Sequence, residues 1–395
     1  MKKQLRIVIC GGGNAVHVLV PVIKETSGAW VGVLAPYSDE AARISSGASE
    51  NGITVEYNER EVTARPDMVT SLAEEVIPEA DIVLFALPAF AHGPMIGLVA
   101  PFLKKGAWLG AMPSRSGFEF YAQSTHVRDK EIVLFGLQTL PWACRIIEYG
   151  KRVTVLGEKN SVTVGACPAG KAPEVALTLQ ELIGIRLKPA GSMLSISLGN
   201  VGQIIHPGIM YGLFKEEEET TYHEENVPLF YQGISKETAG MLGHMSQEIV
   251  NVAKYLSKKC SSLQLQDVIS LQDWILQSYE GKIADTSTLF SCFVTNQAYA
   301  GLQAPTIKVG GKCRANLRSR YLTEDVPFGL VVTKGIAGMC GLPTPTIDQV
   351  LATTSRWMDA EYYIDGKAVG RDIGKTRHPV NFGITKLEQL FPRAT

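Results

Sequence analysis

Short apolar runs dominate the first half of the chain, and apolar positions at helical spacing dominate the second. Residues 5–10, 30–34, 80–86, 107–112 and 131–137 are apolar runs of strand length, each followed by a stretch rich in glycine, proline or polar residues. Continuous runs of this kind mark strands buried on both faces, as in parallel sheets. Between them, residues 54–63 alternate like a strand pair turning at Asn58, Ser38 or Asp39 caps a short helix through Ser46, and residues 71–77 read as another. Residues 152–164 return to a β pattern and residues 174–183 to a helix. Beyond about residue 195 helices follow one another, at 240–256, 265–279, 326–339 and 346–357. The pattern predicts an α/β chain: an N-terminal doubly wound parallel sheet over residues 1–193, then an all-helical C-terminal domain over residues 194–395.

The opening unit is strand, glycine turn, helix. Gly11, Gly12 and Gly13 follow the first strand, and Asn14 and Ala15 begin the helix. A strand that turns at Gly-x-Gly into a helix points backbone N–H groups and the helix dipole at a pyrophosphate, so the expected fold is Rossmann-like and the expected cofactor a nicotinamide dinucleotide. Two residues depart from the usual pattern. Val16 stands where a third small residue is common, and Pro21 falls about two turns into the helix, where a lost hydrogen bond predicts a kink or a shifted register. The second strand ends at Ala35, Pro36 and Tyr37 rather than at the acid that binds the ribose of NAD, so NADP is not excluded.

Composition narrows the partners. With 395 residues, 19% of them charged, and a net charge of −1, the chain carries no basic footprint for nucleic acid or an anionic membrane. Seven cysteines form no C-x-x-C pair and no zinc spacing, and no apolar run approaches bilayer length. A cytoplasmic enzyme of small molecules, without a metal, is the class that remains.

Candidate chemistry lies at the strand ends and in the helical half. Three successive strands deliver loops to the edge where such sheets bind ligands: Leu87, Pro88 and His92 after the third, Met112 to Gly117 with Arg115 after the fourth, and Thr139 to Trp142 after the fifth. His206, in the helical half, can exchange the proton that accompanies hydride transfer. Arg320 can hold a carboxylate and Asp325 can orient a histidine, or the two can belong to an exposed helix start with an intrahelical ion pair. His92 either approaches the cofactor or caps the next helix. His17, His126, His223, His244 and His378 join no constellation.

The motifs GGGNAVH at 11–17, LPAFAH at 87–92, MPSRSGFEF at 112–120, TLPWACR at 139–145, HPGIMYG at 206–212, PLFYQGI at 228–234 and RYLTEDVP at 320–327 run in this order along nearly the whole chain. They resemble the opine dehydrogenases, most closely the invertebrate octopine type, and TLPWACR with RYLTED is far more specific than the glycine turn. The resemblance implies a Rossmann-like domain and a helical domain with substrates in the cleft between them. It implies that pyruvate and an amino acid condense to an imine that NADH reduces, regenerating NAD in anaerobic glycolysis. Carried over by motif, His206 is the acid/base residue, Asp325 its orienting partner and Arg320 the binder of the keto-acid carboxylate.

One departure bears on the amino acid. The octopine-type pattern has glutamine where this chain has Arg115, and a cation there repels the guanidinium of arginine while suiting the acid group of a small zwitterion such as alanine, glycine or taurine. Arg115, Thr139, Arg320 and Trp142 are the expected substrate contacts, with Tyr231 a second aromatic wall. Two readings compete: another two-domain NAD(P)-dependent dehydrogenase acting on a 2-hydroxy or 2-keto acid, and a non-catalytic nucleotide-binding protein.

Overall fold

The computed structural model describes residues 4–57, 59–123 and 130–390; Asn58, the expected turn residue, and His126 lie outside them. The chain divides into two compact units. The first runs up to Ser114 and resumes over Glu119–Ile196; the second comprises Arg115–Phe118 and the chain from Ser197 onward.

The strands of the first unit are β1 (Arg6–Cys10), β2 (Trp30–Leu34), β3 (Ile53–Tyr57), β4 (Arg60–Ala64), β5 (Met68–Thr70), β6 (Ile82–Phe85), β7 (Trp108–Ala111), β8 (Val133–Leu137), β9 (Trp142–Glu148), β10 (Arg152–Glu158), β11 (Val162–Cys167) and β12 (Leu187–Pro189). Eight of them form one sheet in the order β12-β11-β8-β7-β6-β1-β2-β5. Its pairs are parallel except β8 with β11. The continuous apolar runs follow from this geometry, since all four residues of β6 and all five of β8 are buried. The chain leaves β1 on one side for β2 and returns on the other as β6, so the carboxyl ends of β1 and β6, paired at Cys10 and Phe85, form the switch point of a doubly wound sheet. A smaller sheet, β4-β3-β10-β9, takes the predicted strand pair, with Thr54 opposite Thr63. Strand β9 begins at Trp142, inside a stretch whose proline and polar residues read as loop.

Helix α1 (Asn14–Ser27) corrects an expectation. It runs continuously through Pro21, without a break. Every residue from Val16 to Ile23 is buried, because α1 packs against β3, β4, β9, β10 and the helix Ala172–Ile183. Contact on all sides holds the turn that lacks one hydrogen bond, and it explains why the valines here show no helical stripe. Helix α2 (Glu40–Ala48) follows β2, starting after Asp39.

The second unit is helical, with the helices Gly202–Phe214, Lys236–Lys259, Leu271–Ser278, Leu289–Val294, Val331–Cys340 and Pro345–Trp357. It also carries a small antiparallel sheet of β13 (Thr221–Tyr222), β15 (Lys312–Ala315) and β14 (Thr306–Val309). The helix expected from residue 265 starts at Leu271, where the Ser270 side chain accepts the Asp273 N–H and caps it. The helix expected from residue 326 opens instead with a widened turn, Val326–Leu330. Such π turns often reposition residues at functional sites, and this one directly follows Asp325. Among the described residues no helix is long and apolar enough to cross a membrane.

Candidate active site

His206 lies mid-helix in Gly202–Phe214, and Asp325 ends the short segment that follows the helix Arg320–Thr323. Their side chains meet: Nδ1 of His206 is 2.7 Å from Oδ2 of Asp325. A carboxylate on Nδ1 places the proton there and leaves Nε2 as the ring nitrogen that exchanges protons. The Tyr231 hydroxyl lies 3.4 Å from that Nε2. Tyr321 stacks on the imidazole at 4.3 Å and 15°, fixing the ring plane. Burial first, then the neighbouring phenols and Asp325, push the Tyr231 phenol well above its ordinary value, so it acts as a donor and not as a base.

Arg115 corrects the sequence reading. Its guanidinium does not face outward for a substrate acid group: Nη1 donates to Oδ1 of Asp325 at 2.8 Å and Nε to Oε1 of Glu324 at 3.2 Å. Both acids are almost fully buried. Burial opposes the charge on Arg115, but Asp325 and Glu324 outweigh it and raise the guanidinium above its ordinary value. The backbone is built for this. Arg115 sits in the left-handed region at φ 59°, the Ser116 N–H donates to the Phe328 carbonyl, and the Ser116 hydroxyl donates to that of Ser197. Gly202 makes room for the pair, since a Cβ there would fall 2.6 Å from Arg115 Nη1 and 2.7 Å from Asp325 Oδ1.

Arg320 continues the chain of charges. Its Nε donates to Oε2 of Glu324 at 2.6 Å, four residues on, and its side chain is 64% exposed. The intrahelical ion pair and the site are therefore one object: Arg320, Glu324, Arg115 and Asp325 form a continuous series of alternating charges that ends on the His206 ring. Glu324 is the member that sequence reasoning passed over, and its spacing from Arg320 was the available signal.

The glycine turn of the first unit has the form a dinucleotide needs. Gly11 adopts φ 127°, with a would-be Cβ 2.9 Å from the Ala86 carbonyl and 3.0 Å from Leu87, so no larger residue fits. Gly13 caps α1 with open space where its side chain would be and with no side-chain cap, leaving the helix start to an anion. Two side chains of this motif tie the turn to the β9–β10 hairpin. Asn14 Oδ1 accepts the Ile146 N–H, and His17 accepts the Gly150 N–H on Nε2, so that Nδ1 donates to the Gly13 carbonyl. Burial, against the pull of that carbonyl, lowers the His17 pKa and keeps the ring neutral. Ala15 is the second residue of α1, and Pro88 precedes the helix Ala89–Val99.

The remaining candidates divide. Trp142, expected as a substrate contact, is 2% exposed and belongs to the core of the first unit. Thr139 is half-buried and donates to the Leu140 carbonyl. His92 is buried with Nε2 3.1 Å from the Leu87 carbonyl, and the helix Ala89–Val99 has no side-chain cap, so His92 does not cap it. Among the described residues no group of three His, Cys, Asp or Glu could hold a metal ion.

Known proteins resemble this chain. Residues 189–358 match the alpha-helical domain of NAD/NADP octopine/nopaline dehydrogenase. The chain is 34% identical to an opine dehydrogenase of Haliotis discus hannai, over 99% of each chain, and 33% identical to a tauropine dehydrogenase of Arabella iricolor, over 97% and 99%. A solved structure of octopine dehydrogenase with NADH and pyruvate superposes with a TM-score of 0.86 at 32% identity, covering 98% of both chains. Coverage from end to end, including both the glycine turn and the histidine pair, makes this chain a member of the opine dehydrogenase family of NAD-dependent oxidoreductases.

Proposed function

We propose that this enzyme condenses pyruvate with an amino acid and reduces the resulting imine with NADH. The observation that carries the reading is the His206–Asp325 pair, a proton-exchanging imidazole held in one tautomer. Bound at the glycine turn, the cofactor supplies the hydride. Residues 1–193 serve as the dinucleotide domain and residues 194–395 as the substrate domain. His206 handles at Nε2 the proton that accompanies reduction, while Asp325 stabilises the imidazolium. Arg320, exposed and steadied by Glu324, offers its outer N–H groups to the keto-acid carboxylate. Thr139 is a further substrate contact.

The preferred amino acid is a small zwitterion such as alanine, glycine or taurine. Asp325, which holds His206, and its neighbour Glu324 are already paired with Arg115, so neither is left to receive the guanidinium of arginine. The role fits regeneration of NAD in the cytoplasm, in keeping with seven unpaired cysteines. The test is NADH oxidation with pyruvate plus alanine, glycine, taurine or arginine in turn. Turnover should require both partners and should be slowest with arginine. Full turnover with pyruvate alone would mark a 2-keto acid reductase, and arginine as best partner would overturn the charge argument.

A further inference from the structure

The second strand lacks the acid that usually receives the adenosine ribose, but an acid from α2 reaches the glycine turn. An ideal Cβ on Gly12, the middle residue of the turn, would fall 2.7 Å from Oε2 of Glu40 and 2.7 Å from the Tyr149 hydroxyl. Two side chains from distant elements, the first residue of α2 and the turn of the β9–β10 hairpin, thus converge on the residue between the two grip glycines. The Tyr149 oxygen is buried and has no hydrogen-bond partner. A buried hydroxyl without a partner costs stability, and a ligand hydroxyl or phosphate oxygen would satisfy it. Tyr149 is held in place: Arg43 lies over its ring at 4.0 Å, and α2 closes on the hairpin so tightly that a Cβ on Gly47 would meet Gly150 Cα at 2.7 Å.

We propose that Glu40 and Tyr149 form the adenosine-ribose subsite, Glu40 accepting the ribose hydroxyls and excluding a 2′-phosphate, so that the enzyme takes NADH in preference to NADPH. The inference rests on cofactor binding at the glycine turn. Burial, reinforced by Asp39 and opposed by Arg43, raises the Glu40 pKa, as for a carboxylate short of donors that two ribose hydroxyls would provide. The nearby cations do not argue for a phosphate. Arg43 lies on the Tyr149 ring with Asp39 at 3.8 Å, and Lys151 pairs with Glu148 at 2.6 Å. Like charges placed together are a strong means of rejecting a wrong partner.

The test is equilibrium titration of the full chain with NADH and with NADPH, read by cofactor fluorescence, alongside thermal unfolding without cofactor. Wild type should favour NADH. Glu40→Gln should narrow the ratio by about tenfold or more, by strengthening NADPH and weakening NADH. Tyr149→Phe should weaken NADH by about three- to tenfold while leaving the unfolding temperature unchanged or raised, because the lost hydroxyl has no partner in the free protein. An unchanged NADH/NADPH ratio in Glu40→Gln, or a wild-type preference for NADPH, overturns the inference. A Tyr149→Phe protein that unfolds earlier yet binds NADH normally does the same for Tyr149. Failure of wild type to bind either dinucleotide would defeat the dehydrogenase reading itself.

Discussion

Nη1 of Arg115 lies 2.8 Å from Oδ1 of Asp325, so the carboxylate that holds His206 with one oxygen is held by a cation with the other. Asp325 is thereby fixed and partly neutralised. An unshielded carboxylate would stabilise the imidazolium more strongly than this one does. Arg115→Gln keeps a hydrogen-bond donor and removes the charge, leaving Glu324 and Asp325 buried together. Stability should fall by about 3 kcal/mol or more, and kcat should fall as Asp325 loses its anchor. Denaturant unfolding and steady-state kinetics read both; a variant unchanged in the two would show the cation to be dispensable.

His206 is the proposed proton carrier. His206→Ala should lower kcat by about a hundredfold or more while NADH affinity, which depends on the glycine turn, stays at the wild-type value. Near-normal turnover in that variant would remove the imidazole from the mechanism.

Gly202 separates activity from stability. Alanine is favoured over glycine in a helix by about 1 kcal/mol. Yet the added methyl would strike Arg115 and Asp325. Gly202→Ala should lose about tenfold to a hundredfold in kcat/KM through displacement of Asp325. Full activity with a raised melting temperature would mean that the pair shifts at no cost.

Tyr231 donates weakly, at 3.4 Å, and does not ionise in the working range. Removing a hydrogen bond of that quality costs about 1 kcal/mol, so Tyr231→Phe should lower kcat/KM about fivefold. The alkaline limb of its pH–rate profile should stay where it is. Disappearance of that limb would make Tyr231 the titrating group.

Much of this was legible in the residues. Buried parallel strands announce themselves as unbroken apolar runs, and the ordered motifs from Gly11 to Pro327 located His206, Asp325 and Arg320. The misreadings share a cause, which is that side-chain partners far apart in sequence cannot be seen from spacing. Arg115 looked available because Glu324 and Asp325 lie more than two hundred residues away. Trp142 looked like a pocket wall because the loop signal of its neighbours concealed β9. Pro21 predicted a kink or a shifted register because burial of α1 on every side is a property of the fold and not of the helix.

Two histidines set an acid limit to stability. Burial lowers His17, and it lowers His378 to about 4, whereas both titrate near 6.5 when unfolded. The unfolded chain therefore binds more protons below about pH 6.5, and stability falls as pH drops from there toward 4. His378 contributes up to about 1.4 kcal/mol per pH unit within that window, and His17 adds to the slope in the same direction. Urea unfolding at pH 7, 6 and 5 measures the slope. His378→Gln, which keeps a side-chain acceptor for the Val380 N–H, should flatten it; an equally steep slope would place the titration elsewhere.

Residues 115–118 belong with the second unit although the chain on both sides of them belongs to the first. The helical unit is therefore not a contiguous cassette. A fragment beginning at Ser197 would carry His206, Asp325 and Glu324 but not the guanidinium that compensates the two acids. Recombination that exchanged only the C-terminal half between relatives would bring a foreign residue to position 115 together with a resident acid pair, and such chimaeras inherit a working proton relay only when both parents agree there.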